Sequence, residues 1–263
     1  MDEILRLLKS RSHVLDLGSG SGSFQCSRPD ITVVRADLGK PSNPPVRFVI
    51  CSANSLPFRD KFFEAVVCNH SMEHFEKLQD CVAEIARTLA PSGFLYISVP
   101  DASTLTDKLY RWLARGGGHV NAFTDVHKVP DLIASASGLR LAGARVLFTS
   151  LSFLNRGNIV SKRPRKALLL GNGNETVLKL GTLVLRYLDR CFGWRTSVYG
   201  WAYYFGDVPD VDCSTWSNVC VRCGSGHPSL LLEQTNRVTH RRLWFSTYEC
   251  PRCGTRNYFT ADG

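Results

Sequence analysis

Short apolar runs alternate with helical stretches from residue 13 onward, and this alternation constrains the fold more than any other feature of the chain. The runs predict five strands: HVLDLG (13–18), ITVVRAD (31–37), RFVIC (47–51), FEAVVCN (63–69) and GFLYISVP (93–100). Between the last two, residues 76–90 place apolar side chains at spacings of three and four, which predicts an amphipathic helix that PSG ends. Strands that alternate with helices are typical of a parallel sheet flanked by helices. The sequence therefore predicts a doubly wound α/β domain.

The second half of the chain continues this pattern and then departs from it. It predicts four elements: a helix at 129–138, a sixth strand at 139–148, a helix at 176–194 within a basic insertion at about 151–195, and a closing strand at 197–207. The acidic stretch DVPDVD is broken by proline, so it predicts a linker. We therefore infer two domains, at residues 1–209 and 213–263.

A glycine loop, VLDLGSGSG (14–22), follows the first strand directly. Glycines in such a loop permit a tight turn and let the backbone approach a ligand, and the next helix offers free N–H groups. Asp37 ends the second strand, 21 residues after Asp16, where a carboxylate can accept hydrogen bonds from ribose hydroxyls. These features suit a nucleotide-type ligand, but the spacing G-x-G-x-G differs from the G-x-G-x-x-G of dinucleotide enzymes.

The ordered motifs of the first half resemble those of class I S-adenosylmethionine-dependent methyltransferases, especially the broad type-11 group. They are VLDLGSGSG, VVRADLG, SANSLPF, FFEAVVCNHSMEHF and LAPSGFLYISVP, and the resemblance covers about residues 13–150. It implies a Rossmann-like methyltransferase sheet with S-adenosylmethionine as the cofactor.

The resemblance also implies which residues hold the cofactor. It assigns nine of them: Asp16, Gly18, Gly20, Gly22, Asp37, Ser52, Ala53, Asn69 and His70. Asp37 would bind the ribose, and Ser52 and Ala53 would lie against the adenine, although the family often has Asp in place of Ser52. Asn69 and His70 would flank the methionine part of the cofactor near the methyl group.

The pentapeptide HSMEH (70–74) matches the inverted zinc-protease pattern His-x-x-Glu-His. It follows the fourth strand immediately, so it falls in a turn before a regular helix could present both histidines on one face. In the resembled family a Glu-His pair commonly stands here without a metal. We therefore predict no zinc-protease site and a structural role for Glu73 and His74.

Methyl transfer needs a base only if the acceptor must lose a proton, and two histidines are candidates. His70 is one, and His119 in the glycine-rich loop GGGHVNAFT is the other, with a solvent-exposed or capping histidine as the alternative. The end of the fourth strand lacks the Asn/Asp-Pro-Pro-aromatic motif of amino-methylating nucleic-acid enzymes and the Pro-Cys nucleophile of cytosine-5 enzymes. The sequence therefore disfavours the common methylations of nucleic-acid bases.

Two C-x-x-C pairs near the end of the chain have the spacing of a metal site. Cys220, Cys223, Cys250 and Cys253 supply four thiolates, which predicts a closed structural zinc and a module that resembles a zinc ribbon. We expect the other six cysteines to be small buried hydrophobes. Arginines and aromatic residues in the module suit contact with nucleic acid or protein, and a purely structural appendage is the alternative.

The net charge of +9 is uneven, because residues 151–263 carry 15 Lys and Arg against 8 Asp and Glu. A basic surface attracts phosphates of nucleic acids, lipid headgroups or substrates. The helix over 176–192, preceded by SKRPRK, suits peripheral association with an anionic membrane. Its alternative is a helix that packs its apolar side on the core. The N-terminal sequence predicts neither a signal peptide nor a membrane span, and we expect a cytoplasmic protein.

Together these features predict a methyltransferase that methylates O or N of a small-molecule or lipid-linked, amphiphilic acceptor. Two alternatives stay open. One is an RNA or protein methyltransferase that docks its substrate with the ribbon. The other is a non-catalytic adaptor that binds the cofactor without turnover.

Overall fold

The structure is a computed structural model, and it describes residues 1–114, 118–155, 175–240 and 245–261 of the 263-residue chain. Its helices are α1 (Asp2–Leu7), α2 (Leu78–Thr88), α3 (Leu105–Leu113), α4 (Lys128–Ser137), α5 (Glu175–Phe192) and α6 (Ser229–Gln234). Its first seven strands are β1 (His13–Leu17), β2 (Thr32–Asp37), β3 (Phe48–Ile50), β4 (Phe63–Asn69), β5 (Leu89–Pro100), β6 (Leu141–Phe148) and β7 (Val198–Phe205). Five short strands follow, and these are β8 (Asn218–Val219), β9 (Gly226–His227), β10 (Val238–Thr239), β11 (Thr247–Glu249) and β12 (Arg256–Tyr258).

The first seven strands form one sheet with the order β3-β2-β1-β4-β5-β7-β6. β1 pairs in parallel with β2 and β4, β2 with β3, and β4 with β5. The chain order reverses between β1 and β4, which makes this the switch point of a doubly wound sheet, where ligands bind beyond the carboxyl ends of the strands. The predicted α/β fold is confirmed.

β5 begins earlier than the sequence predicted. Helix α2 ends at Thr88 and the strand starts at Leu89, whereas the helix pattern extended to Ala90. Phe63 pairs with Leu89 and Ala65 with Phe94, so the residues between are accommodated by an irregularity in the ladder. Pro91 explains the early end of the helix, because a proline disfavours α-helical geometry in the residue before it.

The core of the sheet follows from the composition of its strands. Residues 65–68 of β4 are fully buried, and four of the five residues of β1 are buried as well. Strands buried on both faces are rich in apolar residues, as these two are, although β1 also buries Asp16. On one side α2 and α4 contact each other, and α2 buries Val82 and Ile85.

The chain divides into two compact units. One comprises residues 1–100, 119–145 and 201–213, and the other comprises residues 101–118, 146–200 and 214–263. The division passes through β6 and β7. The domains inferred from the linker, 1–209 and 213–263, stay a prediction.

Helix α5 confirms the predicted helix in the basic insertion, and only part of its apolar surface is buried. Val177, Leu180, Val184 and Tyr187 are each between 48% and 66% exposed, while Leu178 is buried. The SKRPRK segment (161–166) lies outside the described residues. Among the described residues, no helix has both the length and the hydropathy needed to cross a bilayer.

The cysteine-containing module is built from small sheets. β8 and β9 form a two-stranded antiparallel sheet, and β10, β11 and β12 form a three-stranded antiparallel one. Leu232 and Tyr248 are buried together with Cys220 and Cys250. This apolar cluster is small, so the module has little core of its own.

Candidate functional site

A cavity of about 340 Å³ opens at the switch point of the sheet, beyond the carboxyl ends of β1, β2, β3 and β4. Its lining residues are Leu17, Gly18, Asp37, Leu38, Cys51, Ser52, Ala53, Asn54, Ser71, His74, Phe75, Glu76 and Cys81. The volume lies within the range of roughly 300–1,000 Å³ that small-ligand pockets occupy. Its position is the one that doubly wound sheets use for ligands.

The glycine loop turns tightly because the loop after β4 lies against it. Gly18 has φ +70°, and its N–H donates to the carbonyl of Ala36 at 2.8 Å. A Cβ on Gly18 would lie 2.4 Å from Cβ of Ser71, closer than two carbon atoms can approach. Gly20 and Gly22 also have positive φ, at +54° and +115°. Only glycine satisfies both the backbone angle and the contact at position 18.

Asp16 shapes the glycine loop from inside the protein. It is fully buried, and its carboxylate accepts hydrogen bonds from the Ser23 backbone at 3.1 Å and the Ser23 hydroxyl at 2.5 Å. Arg35 Nε lies 3.4 Å from the same carboxylate. Burial raises the pKa of Asp16, and Ser23 and Arg35 oppose that rise. Asp16 is not among the residues that line the cavity.

Asp37 joins the end of β2 to the glycine loop. One carboxylate oxygen accepts from the Gly20 N–H at 2.8 Å, and the other accepts from the Gly39 N–H at 3.1 Å. A carboxylate has about four lone-pair positions, so two backbone donors leave capacity for ribose hydroxyls. Asp37 also lines the cavity, which places that remaining capacity where a ligand can use it.

Four of the nine predicted cofactor residues line the cavity: Gly18, Asp37, Ser52 and Ala53. The other five, Asp16, Gly20, Gly22, Asn69 and His70, are not among its lining residues. The cavity also includes apolar residues that the sequence reasoning did not single out, such as Leu38 and Phe75. Their positions could have indicated them, because Leu38 directly follows a predicted strand and Phe75 lies in the turn after β4.

Two thiols in the cavity wall are held in the neutral form. Burial raises the pKa of Cys81 to about 11, and Asp80 adds to the rise. Burial, and then Asp37, raises the pKa of Cys51. Because the thiolate is the nucleophilic form, these side chains form walls and do not compete for an electrophilic ligand at neutral pH.

Asn69 and His70 end β4 in a strained turn. Asn69 Oδ1 accepts from the Ser98 hydroxyl at 2.8 Å, and the His70 N–H is 3.1 Å from Ser98 Oγ. His70 has φ +52°, which is uncommon outside glycine. Burial lowers the pKa of His70 to about 4, with His119 and His74 adding to the effect. The imidazole is therefore neutral at pH 7, and its lowered pKa makes it a weak base.

The HSMEH segment does not form the face of a helix. His70 lies in the turn, and Met72–His74 form a single 3₁₀ turn. His74 instead meets His119, with ring centroids 4.8 Å apart and an interplanar angle of 75°. Ligand atoms of Glu73, His74 and His119 lie within 4.8 Å of one another. We name these three residues the Glu-His-His group. The sequence reasoning missed it because His119 arrives from the loop before α4.

The four thiols of Cys220, Cys223, Cys250 and Cys253 also come together, and we name them the cysteine cluster. Sulfur distances are 3.6 Å between Cys220 and Cys253 and 3.7 Å between Cys223 and Cys250. Zinc–sulfur bonds of about 2.3 Å in a tetrahedron place sulfur atoms about 3.8 Å apart. The spacing is compatible with a closed zinc site.

The two halves of the cysteine cluster have the same backbone turn. The first cysteine of each pair accepts a hydrogen bond at 2.9 Å from the following glycine, Gly224 or Gly254. Both glycines have φ near +70°. His227 Nε2 lies 3.4 Å from Cys250 Sγ, and Asn257 Nδ2 lies 3.5 Å from Cys220 Sγ. Such contacts orient ligands around a metal.

Comparison with known proteins supports the sequence-level resemblance. Residues 15–97 match a family model described as a methyltransferase domain. The chain is 30% identical over 105 residues to "Probable tRNA methyltransferase 9B" of Mus musculus, a match over 37% of this chain and 24% of that protein. It is 28% identical over 176 residues to "Malonyl-[acyl-carrier protein] O-methyltransferase" of Halorhodospira halophila, which covers 62% of this chain and 59% of the relative. The chain thus spans less than two thirds of each.

A solved structure has the same fold. The S-adenosylmethionine-dependent methyltransferase from Archaeoglobus fulgidus superposes with a TM-score of 0.51 at 15% identity, over 75% of this chain and 86% of that one.

Proposed function

We propose that this chain is a class I S-adenosylmethionine-dependent methyltransferase that transfers a methyl group to O or N of a small or lipid-linked acceptor. The observation that carries this proposal is the cavity at the switch point, where Gly18, Asp37 and Ser52 meet. The bound cofactor would supply a methyl group activated on a sulfonium. The chain's own residues must hold that group, exclude water and align the acceptor.

The residues of the cavity suit such a ligand. The glycine loop brings backbone close to the ligand, and Asp37 has carboxylate capacity for ribose hydroxyls. Ala53 and Leu38 provide apolar contact for an adenine ring. Neutral Cys51 and Cys81 line the wall without competing for the methyl group. His70 and His119 remain the candidate bases.

Helix α5 supports an amphiphilic acceptor, because its polar anchors face inward and its apolar stripe faces outward. Arg186 donates to the carbonyls of Thr149, Ser197 and Ser217, each at 3.0 Å. The exposed stripe is Val177, Leu180, Val184 and Tyr187. An exposed apolar helix face beside basic residues is typical of a membrane-surface helix. We therefore propose peripheral association with an anionic bilayer.

The Asp37→Ala variant tests cofactor binding. Loss of the ribose acceptor leaves hydroxyls of the ligand unpaired, so affinity for S-adenosylmethionine should fall by about 1–3 kcal/mol. Calorimetry measures the affinity, and Asp37→Asn is the matched control because its amide oxygen still accepts from Gly20. Unchanged affinity in Asp37→Ala would remove the assignment.

Labelled cofactor then separates the enzyme from an adaptor. Label incorporated into the lipid or small-molecule fraction of an extract supports the proposed acceptor class. Tight binding without any labelled product would favour the non-catalytic adaptor.

A macromolecular acceptor is the second candidate, and one observation favours it. Phe245 is half exposed and packs against Tyr258, with ring centroids 5.5 Å apart. A partly exposed aromatic pair offers a face on which a base can stack. Arg241, Arg242 and Trp244 lie outside the described residues. Label that enters RNA, with binding that weakens steeply as salt rises, would favour this candidate.

We also propose that the cysteine cluster holds one structural zinc ion. Four thiolates close the coordination shell, so the metal would stabilise the module and perform no chemistry. His240 bonds to the Ser246 hydroxyl at 3.0 Å, and His227 sits beside Cys250, so neither is needed as a ligand.

A further inference from the structure

The Glu-His-His group consists of three side chains that share no local motif. Glu73 and His74 are neighbours in the 3₁₀ turn after β4, and His119 comes from the loop before α4. All three offer ligand atoms within 4.8 Å of one another. Glu73 is only 1% exposed, whereas His74 is exposed and His119 is half-buried. A carboxylate buried at one side therefore faces two imidazoles that reach toward solvent.

Hydrogen bonds to backbone carbonyls, two from backbone N–H groups and two from the Asn121 side chain, fix the two segments against each other. The N–H groups of Val120 and Asn121 donate to the carbonyl of Glu73 at 2.8 and 3.0 Å. The Asn121 amide donates to the carbonyls of Met72 and Phe75 at 2.9 and 2.7 Å. Four hydrogen bonds thus hold Val120 and Asn121 against the 3₁₀ turn. The approach of His119 to Glu73 and His74 is part of the fold and does not depend on the side chains themselves.

The ligand types suit a divalent first-row transition metal. Two imidazoles and one carboxylate with open positions form a recurrent metal site in enzymes. A metal–ligand distance of about 2.0–2.2 Å needs the ligand atoms closer together than 4.8 Å, so metal binding would draw the three side chains toward one another.

The group lies at the wall of the candidate cofactor cavity. His74 is itself a lining residue, together with its neighbours Ser71, Phe75 and Glu76. Three protein ligands leave coordination positions open on the metal. Because His74 faces the cavity, an open position would be accessible to a ligand bound there.

We propose that Glu73, His74 and His119 bind one divalent transition-metal ion at the edge of this cavity, with open positions for an oxygen of a second ligand. Metal binding stands apart from the proposed function. We take the second ligand to be the methyl acceptor, and this part of the proposal rests on the proposed function.

Titration of the purified full-length protein with Mn²⁺, followed by electron paramagnetic resonance of the free ion, tests the site. Mn²⁺ suits imidazole and carboxylate ligands better than thiolates, so the cysteine cluster should not take it up. We expect one saturable site per chain. His74→Ala, His119→Ala and Glu73→Gln should each weaken the affinity by at least about tenfold, as expected when a metal site loses a ligand or its support.

His127→Ala is the matched control, because His127 is exposed in the same unit but lies outside the group. It should bind Mn²⁺ as the unaltered protein does. Glu73 is buried, so its variant is compared only if its melting temperature is unchanged, and the two histidine variants keep the test valid otherwise. Absence of a saturable site would overturn the proposal. So would Mn²⁺ affinities of His74→Ala and His119→Ala that equal the affinity of the unaltered protein.

Affinity for S-adenosylmethionine, measured by calorimetry without added metal, keeps the two proposals distinguishable. Cofactor binding without a Mn²⁺ site would remove the metal proposal and leave the methyltransferase intact. A Mn²⁺ site without cofactor binding would do the reverse.

Discussion

The cysteine cluster and the Glu-His-His group are both candidate metal sites, but the chain builds them in different ways. The cysteine cluster joins two local turns. Each has a glycine at the equivalent position, and its N–H donates to the carbonyl of the first cysteine of the pair. The Glu-His-His group takes two ligands from one turn and the third from a distant loop held by Asn121. Spacing in the sequence therefore predicts the first and misses the second, because only the first has its geometry encoded within each ligand pair.

Removal of zinc from the cysteine cluster has the largest expected effect. Structural zinc binds with about 10–16 kcal/mol, and in so small a module that free energy is also folding free energy. The purified protein should hold about one zinc per chain, and Cys220→Ser combined with Cys250→Ser should abolish it. Elemental analysis measures the content, and proteolysis of residues 213–263 reports the loss of folding.

Cys191→Ser is the control for the zinc experiment, since Cys191 lies outside the cluster. The expectation that the six other cysteines are buried was wrong for Cys191 and Cys213, which are exposed. The control variant should keep its zinc. Zinc retained by the double variant would show that the cysteine cluster is not the zinc site. The comparison between a metal site that spacing predicts and one that it misses would then no longer hold.

The glycine loop combines features of the cysteine cluster and of the Glu-His-His group. Its turn is local, but Gly18 also contacts Ser71 from the loop after β4. Gly18→Ala combines an unfavourable φ with a clash against Ser71, so the free energy of unfolding should fall by about 2–4 kcal/mol. Gly20→Ala has the unfavourable φ but open space, and should lose about 1–2 kcal/mol. Gly39→Ala, with neither feature, should change little. Denaturant unfolding measures all three.

Equal losses in Gly18→Ala and Gly20→Ala would contradict the argument, because they would leave no effect for the contact with Ser71. Weaker binding of S-adenosylmethionine by Gly18→Ala, beyond its loss of stability, would link the turn to the cavity.

The sequence predicted most of the sheet because its signals are local. Each strand is a short apolar run. Gly18 stands directly after β1 and Asp37 is the last residue of β2, so the pattern predicted that both lie at the carboxyl edge of the sheet. Three kinds of feature escaped prediction. Leu89 joined the strand because Pro91 ended the helix early. The buried Asp16 carboxylate accepts hydrogen bonds from Ser23, a contact that no spacing reveals. His119 met His74 through contacts that only the folded chain defines.

Helix α5 shows the same limit for orientation, and its test has the smallest expected effect. The pattern predicted the helix and left both orientations of its apolar side open. In the structure Arg186 donates to the Thr149 carbonyl and Val184 is exposed. If the stripe contacts a bilayer, the protein should sediment with anionic vesicles and less with neutral ones, because each Lys or Arg near the surface contributes about 1 kcal/mol. Val184→Asp should weaken binding on the order of tenfold by removing buried apolar area and adding a like charge. Val46→Asp makes the same change at an exposed valine in the other unit and should bind as the unaltered protein does. Equal binding by both variants would move the contact away from α5, and absence from every pellet would remove the membrane proposal.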